Sequence, residues 1–153
     1  MKSVRSAGFT LVEVLIVVVI MAILAAVVVP QFASSTDDAK ISTAEFNLST
    51  LRSILQTYRG QHNGTLPTVD GTTNLPEQLL QKTAKSGTLD VNGAYGPYLL
   101  EFPDNPFTGN NTVVATANTT MTSGDVTAND AGGWMFNETT GQIWLDSDPG
   151  FDY

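Results

Sequence analysis

Residues 8–32 read GFTLVEVLIVVVIMAILAAVVVPQF (Gly8–Phe32), and Glu13 is the residue out of place in them. From Leu11 to Val29 it is the only charge in 19 residues. A helix of that length is about 28 Å long, close to the roughly 30 Å of a bilayer's hydrocarbon core. A carboxylate costs about 2.5–3.5 kcal/mol at the centre of such a span on translocon scales. The stretch predicts a membrane-length helix and requires a reason for the acid.

The flanks orient the helix. Lys2 and Arg5 precede it, and Asp37 and Asp38 follow before the next cation, Lys40. The positive-inside rule puts Met1 to Gly8 in the cytoplasm and everything after Pro30 across the membrane. A removable secretory signal would have an apolar region of only about 7–15 residues. A cut after Ala25 or Ala26 would also leave valines and Pro30 at the new terminus. A plain single-pass anchor fits length and charge but leaves Glu13 without a purpose. A cut between Gly8 and Phe9 supplies one. It places a new amino group one helical turn from Glu13, and a buried carboxylate is tolerable beside a cation. That cation can come from the same chain or from a neighbouring copy, in which case Glu13 sets the register of an assembly.

Gly8-Phe9-Thr10-Leu11-Val12-Glu13, behind a short basic leader and ahead of a long apolar helix, resembles the type III signal of type IV pilins and type II secretion pseudopilins. The resemblance implies a membrane prepilin peptidase that cuts after Gly8 and methylates the Phe9 nitrogen, and a part for Glu13 in subunit recruitment. It also implies a helix-kinking proline at Pro30. Independently, a proline lacks an amide hydrogen and should bend or locally melt the helix around Ala26 to Val29.

Beyond Pro30 the pattern changes. Ile41, Ala44, Leu48, Leu51, Leu55 and Tyr58 recur at steps of three and four, the apolar face of an amphipathic helix. Gly60 is the expected stop, and Gly64 and Pro67 oppose any resumption. Four segments follow: a leader over 1–8, a membrane and polymerisation helix over 9–30, an amphipathic helix over 31–60, and a small head over 61–153. In the head, Pro76–Lys82 reads as a short helix with Asn74 as N-cap. Thr112–Ala117 reads as a strand. Trp134–Phe136 and Gln142–Leu145 read as a hairpin around a glycine-containing loop, with both tryptophans and Phe136 in the core. Thr116–Asn129, polar and poor in aromatics, is expected to be a mobile or variable loop. The fold class is α+β, with the amphipathic half-helix packed on a small antiparallel sheet. Tyr95-Gly96-Pro97-Tyr98, Asp104-Asn105-Pro106-Phe107-Thr108-Gly109 and Gly132-Gly133-Trp134 resemble the pseudopilin head more than a long pilin. The lack of cysteine points the same way, because many pilins staple their C-terminal region.

Several chemistries are excluded or disfavoured. With no cysteine there is no disulfide, thiolate metal site or cysteine nucleophile. Seven basic and fifteen acidic side chains give a formal charge of −8, with no basic cluster after Arg5. Nucleic-acid binding, which needs such a patch, is disfavoured. The one histidine, His62, lies in a Gly/Asn-rich turn and is expected in solvent, and no G-x-S-x-G or H-E-x-x-H motif appears. The chain does not read as an enzyme. The acidic tail from Asp146 offers Asp146 and Asp148 as candidate calcium ligands, since calcium takes six to eight oxygens. It is no EF-hand, because Phe151 stands where the loop needs glycine, but the pseudopilin resemblance implies a calcium site in C-terminal loops.

The expectation is a structural subunit of a type II secretion pseudopilus, in the bacterial inner membrane with its head in the periplasm. Its implied partners are further copies of itself, the prepilin peptidase, an inner-membrane assembly platform, a cytoplasmic ATPase and minor pseudopilins. A type IV or minor pilin and a monomeric membrane-anchored binding module are the alternatives.

Overall fold

A computed structural model of the chain describes residues 8–70, 74–126 and 132–147. The fold is α+β: a long helix α1 (Leu11–Gln61), a short helix α2 (Leu75–Leu80), and strands β1 (Val113–Ala115), β2 (Trp134–Phe136) and β3 (Ile143–Leu145) in one sheet of order β1-β2-β3. The chain divides into two units, Met1–Ala39 and Lys40–Tyr153.

In the first unit the Leu11–Val29 stretch of α1 is apolar on every side apart from Glu13 and wholly unburied, with a mean hydropathy of 3.2. Among the described residues nothing buries it, so its apolar surface suits lipid or other molecules. The helix runs through Pro30 without interruption. The local melting expected there is not seen. Proline removes one amide donor from the ladder, and the bonds on either side suffice to keep the helical path.

In the second unit α1 buries one stripe. Ala44, Leu48, Leu51, Leu55 and Tyr58 are at most 1% exposed, and Ile41 at the edge of the stripe is half-buried. They share a core with Leu66, Leu75, Leu79, Phe102, Trp134, Phe136, Ile143 and Leu145. Burying each large aliphatic or aromatic side chain contributes about 1.5–3 kcal/mol. The other faces carry Ser42, Thr43, Ser49, Ser53 and Gln56, all exposed.

The helix does not stop at Gly60, as the sequence suggested. Gly60 is helical and exposed, and α1 ends two residues before the Asn63–Gly64 pair, whose φ values of 56° and 87° are left-handed. The Gly64 N–H donates to Arg59 O at 2.8 Å, closing the helix C-terminus. A helical glycine costs about 1 kcal/mol against alanine. Here the last turn is held by Tyr58 and His62, which stack with ring centroids 3.8 Å apart.

Helix α2 begins after Asn74 as expected, with Pro76 in its first turn and Glu77 reaching back to the Asn74 N–H at 3.5 Å. It ends at Leu80 rather than Lys82, because Gln81 is already extended.

The hairpin forms where the sequence placed it, with Trp134 and Phe136 in the core, but Trp144 is only half-buried and outside it. Trp134 faces Leu145, Met135 faces Trp144 and Phe136 faces Ile143, antiparallel. Asn137 makes its turn, accepting the Thr139 and Thr140 N–H groups on Oδ1 at 2.9 Å each, and Gly141 takes a φ of 78°. The sheet is not purely antiparallel, however. β1 pairs with β2 in parallel, Val113 beside Trp134. A parallel neighbour needs a long return connection, and residues 116–133 provide it. The described part of that connection, 116–126, carries more structure than its composition suggests. Thr116 N–H donates to Phe136 O at 2.9 Å, Asn137 Nδ2 donates to Asn118 O at 2.8 Å, and Thr122 N–H donates to Asp125 at 2.8 Å. The rest of the expected loop, 127–129, lies outside the described residues.

Candidate functional site

The start of α1 is the candidate site. Gly8, Phe9 and Thr10 precede the helix in exposed positions, with Phe9 78% exposed. A Cβ added at Gly8 would meet nothing within 4 Å, and its φ is not left-handed. This fold therefore imposes no glycine at position 8, and a requirement for one there has to come from another molecule that handles the segment. The leader residues before Gly8 lie outside the described residues.

Glu13 has a local partner that the sequence reading overlooked. Thr10 is the N-cap of α1, its carbonyl accepting the Val14 N–H at 3.4 Å. Glu13 Oε2 accepts the Thr10 N–H at 2.9 Å and the Thr10 hydroxyl at 2.8 Å, and the Glu13 N–H donates to Thr10 Oγ1 at 3.3 Å. This is a capping box, which pairs two otherwise orphaned amides at the helix start. A threonine, two residues, then a glutamate before an apolar run is its sequence signature, present here as Thr10-Leu11-Val12-Glu13.

The box changes the account of the misplaced acid. In lipid every backbone donor must be satisfied within the protein, and a carboxylate in the first turn also suits the positive end of the helix dipole. The box uses no atom of Gly8, so a cut between Gly8 and Phe9 leaves it whole. Both Thr10 contacts fall on Oε2, and among the described residues Oε1 accepts no hydrogen bond. One oxygen serves the helix, and the other is available to a cation such as a Phe9 amino group.

The second candidate, around Asp146, lies in the unit Lys40–Tyr153. Its three parts come from the stretches singled out above. Asn105 is fully buried; its Nδ2 donates to Gly133 O at 2.9 Å and to Ser147 Oγ at 3.3 Å, and its Oδ1 accepts the Phe107 N–H at 2.9 Å. Thr108 Oγ1 donates to Gly132 O at 2.9 Å, and the Asp146 N–H donates to Gly133 O at 3.1 Å. A Cβ on Gly132 would lie 1.5 Å from Asp146 Oδ2, so the glycine makes room for this buried carboxylate. Asn105 and Thr108, absent from the expected site residues, organise the corner. Asp148 lies outside the described residues, and among the described residues no group of three or more His, Cys, Asp or Glu is placed to hold a metal. The described residues alone do not make up a calcium site.

His62 departs from its expected solvent position. It is fully buried, with Nδ1 2.9 Å from Tyr58 O and Nε2 2.9 Å from Thr83 Oγ1. A carbonyl only accepts, so Nδ1 carries a proton and donates to Tyr58 O, while Nε2 pairs with the Thr83 hydroxyl. Tyr58, Tyr95 and Tyr98 surround the ring. Both nitrogens are committed to structure, so the one histidine joins the end of α1 to the segment around Thr83.

A membrane-length helix opened by a Gly-Phe pair and a glutamate in its first turn is the feature the comparisons with known proteins pick out. The profile of the prokaryotic N-terminal methylation motif matches residues 4–29. The chain is 44% identical over 55 residues to the type II secretion system core protein G of Pseudomonas aeruginosa, a match covering 36% of this chain and 39% of that protein. It is 38% identical over 73 residues to the type IV narrow pilus major component PilA5 of Thermus thermophilus, covering 48% of this chain and 62% of that one. The matches thus span about two-fifths and three-fifths of the relatives' lengths. No solved structure matches. The motif and the two relatives make the N-terminal part of the chain similar to those of pilins and pseudopilins.

Proposed function

We propose that the chain is a major subunit of a type II secretion pseudopilus, cut between Gly8 and Phe9, methylated on the Phe9 nitrogen, and polymerised through α1. The observation that carries this reading is the capping box at the head of a helix whose Leu11–Val29 stretch is unburied among the described residues. Glu13 would accept from Thr10 on one oxygen and neutralise a Phe9 ammonium with the other. Both charges are then satisfied only when the amino group and the carboxylate are in register. Neighbouring copies would cover the apolar faces of Leu11–Val29. The likeness to core protein G of a secretion system favours this role over others.

In this role the peptidase, an inner-membrane platform and a cytoplasmic ATPase would process and extract the subunit. Minor pseudopilins would join the filament, and the head would stand in the periplasm. A type IV pilus subunit is the second reading, favoured by the longer matched stretch in the Thermus protein.

The test is Glu13→Gln and Glu13→Ala in the native host. Both variants should be cleaved like wild type, and filament yield should fall at least about tenfold, the effect of about 1.4 kcal/mol per subunit addition. Wild-type yield from both would remove Glu13 from assembly. Loss of secretion with surface pili unaffected, on deleting the gene, would separate the secretion role from the pilus role.

Calcium at the Asp146 corner is part of the same proposal, with Asp148 completing the carboxylates. Calcium should raise the thermal midpoint of the wild-type chain and leave that of Asp148→Asn unchanged. An equal rise in both would remove Asp148 from the site.

A further inference from the structure

Helix α2, residues 100–102 and the start of β1 line a pocket of about 510 Å³ in the unit Lys40–Tyr153. Its floor is apolar and fixed by the core. Phe102 is buried and meets Trp134 edge-on with ring centroids 6.5 Å apart, and Leu80 and Val113 are half-buried against the same core. The lining carries two acids, Glu77 and Glu101, and no basic side chain. Glu77 uses one oxygen on the Asn74 N–H at 3.5 Å, and Glu101 makes no hydrogen bond or ion pair among the described residues.

The pocket adjoins an open edge of the sheet. The Trp134 N–H donates to Thr112 O at 2.8 Å and the Thr116 N–H to Phe136 O at 2.9 Å. A parallel ladder bonds through alternate residues, so Val113 and Ala115 turn their backbone N–H and C=O groups away from β2. Among the described residues those groups have no partner. The opposite edge of the sheet is different, because Arg52 Nη2 donates to Ile143 O on β3 at 3.3 Å. On β1, Val113-Val114-Ala115 has no charge and no proline, the usual guards against strand pairing.

We infer that β1 takes up an extended peptide segment of another protein, which adds a strand to the sheet and sets a lysine or arginine side chain in the pocket. Backbone bonds to Val113 and Ala115 supply affinity, Glu77 and Glu101 select the base, and the apolar floor holds its aliphatic stem. A second copy of the chain does not fit this role. Its β1 brings no base to meet the acids. Of its basic residues after residue 8, Lys40, Arg52 and Arg59 lie in α1, and Lys82 and Lys85 flank Thr83, whose backbone already pairs with Tyr95. Binding at this edge is separate from assembly through α1 and independent of the filament built.

The test is fluorescence anisotropy with the full-length chain in detergent and a labelled, acetylated Thr-Val-Thr-Arg-Thr-Val-Thr peptide. The expected result is saturable binding that weakens at least about tenfold when glutamate replaces the arginine. N-methylation of every second amide should abolish binding in one of the two possible sets and be tolerated in the other, since a strand pairs along one edge. Glu77→Gln combined with Glu101→Gln should erase the preference for arginine over norleucine. Glutamine still serves the capping box of α2, so this variant keeps the helix start. Asp90→Asn, outside the pocket, should leave binding unchanged. Equal binding of the arginine and glutamate peptides, indifference to both methylated sets, or a preference for arginine that survives the double variant would overturn the inference. So would the absence of binding at millimolar peptide.

Discussion

Leu11–Val29 and Ala44–Tyr58 belong to one helix, yet the physics that holds them differs. In the first stretch every large side chain is exposed within the chain, from Leu11 at 81% to Val28 at 42%. In the second, five side chains on one stripe are closed off from solvent while the serines opposite them are open. The first stretch needs lipid or other copies to bury its surface. The second is completed by its own chain. A helix apolar on all sides followed by one apolar on a single stripe therefore meets two environments along its length, lipid or other molecules over the first stretch and its own chain over the second.

The largest effect expected from this difference comes from making the same substitution in both stretches. Leu51→Ala removes a fully buried side chain and should cost about 2–5 kcal/mol in denaturant unfolding of the full-length chain in detergent. Leu24→Ala, in the unpartnered stretch, should change that unfolding by less than about 0.5 kcal/mol, as an uncovered position does. It should instead weaken filaments. Equal losses from the two variants would mean that the first stretch packs on the rest of the chain.

A smaller effect sharpens the account of the packed stretch. Burial chiefly, and the neighbouring Tyr98 second, push the Tyr58 hydroxyl up to about 12. An unfolded tyrosine ionises near about 10. Between those values the unfolded chain has lost its proton and the folded chain has kept it. Stability from this residue is whole below about pH 10 and falls as pH rises towards 12. Thermal midpoints across that range should drop less steeply in Tyr58→Phe than in wild type. Parallel slopes would show that Tyr58 ionises alike in both states.

How legible all this was depended on how local the cause was. The stripe of Ala44, Leu48, Leu51, Leu55 and Tyr58 and the hairpin around Asn137–Gly141 follow from short-range periodicity and turn chemistry, and both stand in the structure. The parallel pairing of β1 with β2 follows from a chain return over 116–133, which no local pattern announces. His62 was misjudged because its neighbours in sequence, Asn63 and Gly64, belong to the turn, whereas its neighbours in space are Tyr58, Thr83, Tyr95 and Tyr98. At the site, Gly8, Phe9 and Glu13 stood out in the sequence. Thr10 did not, although its spacing to Glu13 is the capping-box signature; the acid drew attention to a terminal amino group one turn away when a partner lay three residues away. The Asn105 corner was visible only as three separate stretches, since what joins them is hydrogen bonding across 28 and 42 residues.

The central claim is that the helix start is a processed terminus built to pair with Glu13. The mass of the N-terminal peptide of protein matured in its own host tests it most directly. The account predicts a peptide that begins with N-methylated Phe9. A peptide that retains Met1, or one that begins beyond Ala25, would contradict it and leave the free oxygen of Glu13 without a cation to meet.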